Sequence, residues 1–364
     1  MRLLTSLAPP ENSLSVFMPR PLLSVAPMVD WTDRHFRSFL RLLAPRSLFY
    51  TEMHTTGAIL RGNPDHILEF DPREKPLALQ IAGDDIEAVA RSVTKAEAWP
   101  YDEYNLNCGC PSDKVQEAHF GACLMGEPSL VADLVRAMKN STDKPVTVKH
   151  RIGIRGHGVV RERYEEMVEF VEACARAGAD RFIVHARIAI LEGLDPKENR
   201  TIPPLRYEDV HRLKREFPEL IIEINGGFKT LETLVPQFQS VDGVMVGRAA
   251  YEDPYFMTAA ERVVFGDALN HITRRWVLTS LIPYFDQWQE RGLPPHKIYR
   301  HMTDLFTGFR GARKWRQLLS PPYKSFDRSS DLLRAGMDLF SDEVLDSTDL
   351  RPIPLPWETP STTL

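Results

Sequence analysis

The chain has 364 residues, 43% of them hydrophobic and 26% charged, and its formal net charge is −5. This balance is typical of a globular protein with one large domain and room for a smaller one. The negative net charge excludes an overall basic field, so any contact with nucleic acid must depend on a local basic patch. No apolar run has the length of a transmembrane helix, and we expect no membrane association.

The termini and the cysteines favour a cytoplasmic protein. Residues 1–20 have neither a sustained hydrophobic stretch nor a small-residue cleavage site, so we predict a disordered leader and not a signal peptide. Residues 346–364 contain four prolines and are predicted to be a disordered tail. The four cysteines do not form the framework of a secreted disulfide protein, which indicates a reducing compartment.

Short apolar runs rich in β-formers alternate with helical periodicity along the first two thirds of the chain. The runs are eight, at Leu22–Val25, Leu48–Thr51, Leu77–Ile81, Tyr104–Leu106, Val146–Lys149, Arg181–His185, Ile221–Ile224 and Gly243–Val246. Alternation of this kind predicts a parallel sheet with right-handed crossovers, and eight units match a (β/α)8 TIM barrel. A doubly wound sheet is the alternative, but no G-x-G-x-x-G follows the first run.

The pattern changes after Pro254, where strand signals stop. Helical segments are predicted over 272–288, with a kink at Pro283, and over 297–319 and 331–340. We therefore predict a barrel domain at residues 21–258 and a helical bundle domain at residues 259–345.

The turn Asn107-Cys108-Gly109-Cys110-Pro111 follows the fourth strand and displays the thiol of Cys110. A displayed thiol can act as a nucleophile, a metal ligand or a proton donor. Zinc is disfavoured because no second Cys/His pair at ligand spacing accompanies the turn, so we predict no metal. Cys108 could be a redox partner, although the reducing compartment makes this the weaker option. Cys123 and Cys174 are predicted core residues.

Polar residues recur where the predicted strands end, which in a barrel is the face that carries chemistry. Gly226-Gly227 and Gly247-Arg248 follow the seventh and eighth strands, where barrels commonly bind phosphate, and the alternative is a simple tight turn. Gln80, Lys149 and His185 are flanked by apolar residues and suit the polar edge of a flavin. Taken singly, Lys149 could instead form a buried ion pair and His185 could be a core histidine.

Residues 153–158, Gly-Ile-Arg-Gly-His-Gly, suggest dinucleotide binding at first sight. Their spacing is wrong and they do not follow the first strand, so we predict a flexible loop there.

Over residues 21–340 the chain resembles the tRNA-dihydrouridine synthases. The matching motifs are Ala26-Pro27-Met28-Val29-Asp30-Trp31-Thr32-Asp33-Arg34, Asn105-Leu106-Asn107-Cys108-Gly109-Cys110-Pro111-Ser112, Phe120-Gly121-Ala122-Cys123-Leu124-Met125, His185-Ala186-Arg187, Asn225-Gly226-Gly227 and Gly243-Val244-Met245-Val246-Gly247-Arg248. The resemblance implies an FMN-containing barrel and a C-terminal helical domain that binds tRNA, with NADPH as electron donor.

The resemblance also implies roles for individual residues. FMN would be held by Pro27, Met28, Val29, Gln80, Lys149 and His185, and its phosphate by Asn225, Gly226, Gly227, Gly247 and Arg248. Cys110 would be the proton donor and Asn107 a contact to the flipped uridine. Lys197, Arg200, Arg313 and Arg316 resemble the tRNA-contacting set of the branch that acts at tRNA positions 20 and 20a.

The expected reaction saturates the C5=C6 bond of uracil. Hydride from N5 of reduced FMN would reach C6, and Cys110 would protonate C5 from the opposite side. A free thiol with a pKa of about 8.5 is mostly protonated at neutral pH, which suits an acid.

Basic residues are concentrated between positions 296 and 334. Nine Lys and Arg residues against three Asp residues give this segment a charge of +6. Arg313 and Arg316 are predicted to share an exposed helix face suited to phosphates, with Trp315, Leu318 and Leu319 packed inward. The alternative is an ordinary solvated face.

Three other functions remain open from the residues alone. They are a small-molecule FMN oxidoreductase of the dihydroorotate or dihydropyrimidine dehydrogenase type, a non-catalytic tRNA-binding protein, and a phosphate-binding barrel enzyme without flavin. The helical basic domain argues against the first. We expect a monomer.

Overall fold

The computed structural model describes residues 22–112, 116, 119–266, 272–321, 326 and 328–348. The predicted leader and most of the predicted tail lie outside the described residues. So do Lys324 and Asp327 of the basic segment.

Eight parallel strands close into a barrel, as predicted. In chain order the described strands are β1 (Leu22–Val25), β2 (Leu48–Thr55), β3 (Leu77–Ala82), β4 (Glu103–Cys108), β5 (Val146–Arg151), β6 (Ile154–Gly156), β7 (Val159–Arg161), β8 (Arg181–His185), β9 (Ala189–Ile190), β10 (Ile222–Asn225) and β11 (Gly243–Val246). The barrel order is β1-β11-β10-β8-β5-β4-β3-β2, and β6, β7 and β9 form a separate small sheet.

Closure of the barrel depends on a glycine. Strand β1 pairs with β11 in parallel register, with Leu22 opposite Gly243. A Cβ at Gly243 would lie 2.6 Å from the Cβ of Leu22, so a larger residue would force the first and last strands apart.

The helices follow the strands and cover the barrel. They are α1 (Arg34–Leu43), α2 (Thr56–Arg61), α3 (Pro64–Ile67), α4 (Ile86–Ala96), α5 (Pro128–Lys139), α6 (Tyr164–Arg176), α7 (Tyr207–Glu216), α8 (Leu231–Leu234), α9 (Ala249–Glu252), α10 (Tyr255–Phe265), α11 (Arg274–Glu290), α12 (His296–Tyr299), α13 (Ala312–Leu318), α14 (Ser329–Met337) and α15 (Asp342–Asp346). Helices α11 to α15 form the helical region, in which α11 packs against α14 and α15. Helix α10 spans residues 258 and 259, where the sequence predicts the boundary between the barrel domain and the helical domain.

Two local predictions are wrong. Residues 297–319 are not one helix: α12 ends at Tyr299 and α13 begins at Ala312, and in the segment between them Gly308 and Gly311 adopt left-handed backbone conformations with φ of 87° and 103°. Residues 153–158 are not a loop throughout, since Ile154–Gly156 pairs with Val159–Arg161 as an antiparallel hairpin. Strand β6 also pairs with β9, so β6 lies in the middle of the small sheet with β7 and β9 on either side.

A buried ionic network fills the lower end of the barrel. Arg181 Nη2 lies 2.7 Å from Glu103 Oε2, and Arg181 Nε lies 3.3 Å from Glu223 Oε2. Tyr50 Oη accepts a hydrogen bond from Arg181 at 2.9 Å, and Ser24 Oγ donates to Glu223. These side chains are all buried, so the lower end is closed by charge pairing and the upper end is left for chemistry.

None of the helices in the described part of the chain has the length and hydropathy of a membrane span.

Candidate active site

The register of the barrel brings the predicted site residues into two rows across its open end. Arg151 is opposite His185, and His185 is opposite Asn225, on three neighbouring strands. One step lower, Asn107 is opposite Lys149. Because these strands are parallel, their C-terminal ends meet at one face, which we call the mouth.

Asn107 holds the turn that carries the thiol. Its Oδ1 accepts hydrogen bonds from the backbone N–H groups of Gly109 and Cys110, each at 3.1 Å. The carbonyl of Cys110 accepts from Ala122 N at 2.9 Å, and Cys110 Sγ lies 3.5 Å from Ser112 Oγ. The thiol is therefore partly exposed at the mouth on a turn fixed from both ends.

A chain of polar side chains runs from this turn to the lower end of the barrel. Asn107 Nδ2 donates to Gln80 Oε1 at 2.8 Å, and Gln80 Nε2 donates to Asn105 Oδ1 at 2.7 Å. Asn105 donates to Thr147, which donates to Glu103. Each side-chain amide uses one N–H in this chain, so Gln80 and Asn107 each keep a second N–H for a ligand.

Lys149 and His185 differ in charge at neutral pH. Burial, with a contribution from Arg151, lowers the pKa of Lys149 to about 8. Burial also lowers the pKa of His185 well below its ordinary value, and Arg151 and Lys149 add to the effect. The mouth thus holds an ammonium group beside a neutral imidazole.

Arg151 ties the thiol turn to the loop after β8. Its guanidinium donates to the carbonyls of Gly109 at 3.2 Å, Ile188 at 3.2 Å and Asn199 at 2.9 Å. Burial lowers its pKa to about 9, so it remains charged at neutral pH. No role is predicted for Arg151 from the sequence, although its position two residues after Lys149 on the same strand puts it on the same inward face.

Cys110 lies among cations. Lys149, Arg151 and Arg200 all interact electrostatically with its sulfur.

The glycines after β10 and β11 form two different surfaces. Gly226 and Gly227 have φ of 128° and 78°, and a Cβ on Gly227 would lie 2.7 Å from Leu205 Cδ1. A Cβ on Gly247 would meet no atom within 4 Å. Gly226 and Gly227 are therefore needed for a tight backbone path, whereas Gly247 faces open space in which an anion could reach the backbone.

Arg248 and Asn225 lie beside these glycines. Arg248 Nη2 donates to the carbonyl of Arg200 at 3.3 Å, which joins the loop after β8 to the loop after β11. Asn225 Nδ2 donates to Met245 O at 2.8 Å. Both side chains lie at the mouth, as the sequence predicts for the phosphate site.

The loop after β1 carries the three residues Pro27, Met28 and Val29. Met28 N donates to Thr32 Oγ1 at 3.0 Å, and Val29 is 57% exposed. Asp30 N donates to Glu52 Oε1 at 2.5 Å, and burial raises the pKa of Glu52. Glu52 was not identified from the sequence, because its partner is a backbone amide on another loop.

The predicted tRNA contacts lie on two elements. Lys197 and Arg200 are exposed around the 3-10 turn Glu198–Arg200, close to the mouth. Arg313 and Arg316 are exposed on α13, and Trp315 and Leu319 beneath them are buried, whereas Leu318 is only partly so. Arg316 Nη1 lies 3.6 Å from Asp304 Oδ1.

The fold and the mouth are those of a barrel enzyme with a partly exposed thiol at its open end. The family model described as Dihydrouridine synthase (Dus) matches residues 24–333. The chain belongs to the dihydrouridine synthase family.

Characterised relatives share about half of the residues. The tRNA-dihydrouridine(20/20a) synthase of Synechocystis sp. is 50% identical over 86% of this chain and 93% of its own length. The protein of the same name from Pseudomonas aeruginosa is 50% identical over 85% of this chain and 94% of its own. That from Escherichia coli K12 is 47% identical over 88% and 92%.

Among solved structures, a 2-naphthoyl-CoA reductase complex aligns with 69% of this chain and 50% of its own. The identity is 10% and the TM-score 0.48.

Proposed function

We propose that the chain is an FMN-dependent tRNA-dihydrouridine synthase that reduces the C5=C6 bond of uridines 20 and 20a in the tRNA D-loop, with NADPH as reductant. The single observation that supports it most is the thiol of Cys110 at the mouth, on a turn held by Asn107, the residue opposite Lys149. The activity and the positions follow from relatives named for them that are about 50% identical over more than four fifths of the chain.

The residues at the mouth suit FMN. Lys149 Nζ has one long hydrogen bond, at 3.5 Å to Asn225 Oδ1, which leaves an ammonium group with donors to spare. Gly247 borders open space beside Arg248, as a phosphate requires. Lys149, His185 and Gln80 would hold the flavin ring, and the loops after β1, β10 and β11 would hold the rest. When bound, FMN supplies the hydride for C6 of uracil.

The side chains at the mouth have separate roles in the reaction. The second N–H of Asn107 is available to orient the uracil ring while its oxygen keeps the turn in place. Cys110 donates its proton to C5 as negative charge develops there. Lys149, Arg151 and Arg200 stabilise the thiolate that results.

The uridine has to leave its stack to enter the mouth, so the protein has to bind the tRNA elsewhere as well. Lys197 and Arg200 would contact tRNA at the rim. Arg313 and Arg316 would contact its backbone from the region predicted as a tRNA-binding domain, residues 259–345. Family membership supports this function over a small-molecule reductase, a non-catalytic RNA-binding protein or a barrel enzyme without flavin.

The proposal is tested with purified protein and the variant Cys110→Ala. We expect both proteins to show flavin absorbance that NADPH bleaches. Dihydrouridine formation should fall by about 100-fold or more in the variant, because the positioned acid is missing. Cys108→Ala is the matched control, since the Cys108 side chain in the same turn is fully buried in the hydrophobic core. Colourless protein, or normal dihydrouridine formation by Cys110→Ala, would contradict the proposal.

A further inference from the structure

The loop at residues 188–200, which we call the rim loop, carries two of the proposed tRNA contacts, Lys197 and Arg200. Both side chains are exposed, and among the described residues neither forms an ion pair or a side-chain hydrogen bond. Long cationic side chains of this kind are mobile on their own. Where they can reach therefore depends on how firmly the backbone of the rim loop is held.

Asn199 lies inside the rim loop and is fully buried. Its Oδ1 accepts from Ile190 N at 2.8 Å, and its Nδ2 donates to Ile190 O at 2.8 Å. Nδ2 also donates to the carbonyls of Leu194 at 3.1 Å and Asp195 at 3.3 Å. One side-chain amide thus joins the beginning, the middle and the end of the rim loop.

The contact with Ile190 takes the place of a neighbouring strand. Strand β9 is the last strand of the small sheet and pairs with β6 along one edge, where Leu191 N donates to Arg155 O at 2.7 Å. Because successive peptide groups of a strand face opposite edges, the N–H and C=O of Ile190 face away from β6. Asn199 supplies the acceptor and the donor that this edge needs, so the rim loop depends on it.

The backbone of Asn199 is fixed to the turn that carries the thiol. Its carbonyl accepts from Arg151 Nη1 at 2.9 Å, and Nε of the same guanidinium donates to Gly109 O at 3.2 Å. A second arginine, Arg248, donates to the carbonyl of Arg200 at 3.3 Å. The rim loop is therefore held at a defined place beside the thiol as long as its own fold is kept.

We propose that Asn199 is a positioning residue for tRNA: its buried amide keeps the rim loop in one conformation and so presents Lys197 and Arg200 to the tRNA beside the thiol. The inference rests on the proposed function, since it takes these two cations as tRNA contacts. A loop that is ordered before binding does not lower the affinity by having to become ordered on binding. Asn199 is buried, so it acts through the two cations and not on the reacting atoms.

The first test compares Asn199→Ala with the native protein. We expect the KM for tRNA to rise about tenfold, as it would if about one tenth of the variant molecules held the competent loop. The kcat should change by less than about threefold and the FMN content should stay the same, because the site of chemistry is intact. Asn140→Ala is the matched control, since Asn140 is an exposed asparagine at the end of α5. An unchanged KM, or a fall in kcat alone, would overturn the inference.

A double-mutant cycle separates positioning from a general structural role. In a protein that already carries Lys197→Ala and Arg200→Ala, adding Asn199→Ala should change the tRNA affinity by less than about twofold, because the groups that it positions are gone. A further tenfold loss in that background would show that Asn199 acts independently of the two cations, and would overturn the inference.

Limited proteolysis with trypsin measures the order of the rim loop without tRNA, because trypsin cleaves after lysine and arginine in segments that open locally. We expect cleavage after Lys197 and Arg200 to be at least about tenfold slower in the native protein than in Asn199→Ala. Equal rates would overturn the inference. If Asn199→Ala does not fold, rapid cleavage of the folded native protein at these two residues would overturn it by itself. A native protein that binds no tRNA would refute the proposed function, whereas native activity with an unaffected Asn199→Ala would refute this inference alone.

Discussion

Gly227 and Gly247 are both assigned to one phosphate site, yet their surroundings differ. Gly227 has a left-handed backbone and a Cβ there would also lie 3.0 Å from Tyr207 Oη. Gly247 borders open space. Alanine at position 227 therefore tests backbone strain, whereas alanine at position 247 tests obstruction of a ligand.

We expect Gly227→Ala to lower the free energy of unfolding by about 1–2 kcal/mol, because an L side chain is strained at this φ. Gly247→Ala should change it by less than about 0.5 kcal/mol and weaken FMN binding about tenfold. Urea unfolding of cofactor-free protein and fluorescence titration with FMN measure the two effects. Undiminished FMN affinity in Gly247→Ala would remove Gly247 from the phosphate site.

At the scale of residues, the sequence predicts the role of a side chain when the local turn that carries it is enough to suggest that role. Cys110 and Asn107 are of this kind, because the turn after a strand displays them. Arg151, Glu52 and Glu223 could not be assigned in the same way. Their partners, such as Ile188, lie on loops or strands far away in the chain, and only the closed barrel brings them together.

Helix α1 shows how one element joins the mouth to the helical region. Its N-cap Asp33 accepts from the N–H groups of His35 and Phe36, and also from Arg300 Nη2 at 2.6 Å and His301 Nε2 at 3.1 Å. Burial raises the pKa of the Asp33 carboxyl, but the hydrogen bond and charge of His301 outweigh it, so the net pKa lies below the ordinary value. Burial lowers the pKa of His301, so at neutral pH Arg300 is the cation of the group.

Two substitutions at Asp33 separate its tasks. Asp33→Asn keeps the cap and loses the ion pair, which is partly exposed, so the cost should be below about 1 kcal/mol. Asp33→Ala should cost about 1 kcal/mol more, because the cap is lost as well. Urea unfolding at neutral pH measures both; equal costs for Asn and Ala would contradict the capping role.

The contribution of the Asp33 carboxylate to folding stability depends on pH. Because the folded pKa of Asp33 is depressed, its contribution is complete above the unfolded pKa of about 3.9 and is lost as pH falls through the folded pKa. The stability difference between native protein and Asp33→Asn should therefore shrink on acidification below about pH 4.

At the scale of elements, the eight barrel strands follow from apolar runs, and the structure extends several of them by one to four residues. The break between α12 and α13 was missed because Gly308 and Gly311 lie within an otherwise helical pattern of apolar residues. The hairpin at β6 and β7 was missed because it depends on pairing with β9, some 30 residues away.

In the whole molecule, the basic face of α13 is connected to the barrel through two side-chain contacts. Trp315, buried beneath Arg313 and Arg316, donates from Nε1 to Met302 O at 2.8 Å, and the neighbouring His301 contacts Asp33. A tRNA held on α13 would thus lie at a fixed distance from the mouth.

We expect the double variant Arg313→Ala, Arg316→Ala to bind tRNA about tenfold more weakly at low salt, with unchanged flavin absorbance. Loss of two phosphate contacts should also reduce the slope of log affinity against log salt by about 2. Arg91→Ala is the control, because Arg91 is an exposed arginine on α4 paired with Glu87. Equal tRNA affinities for the double variant, the control and the native protein would place the tRNA elsewhere.

We propose that this protein converts uridines 20 and 20a of tRNA to dihydrouridine. The decisive measurement is to incubate the purified protein with NADPH and tRNA that lacks dihydrouridine, and then to map the modified positions in the product. We expect dihydrouridine at positions 20 and 20a, and about 100-fold less or lower when Cys110 is replaced by Ala. Dihydrouridine at other positions only, or none with the native protein carrying FMN, would contradict it.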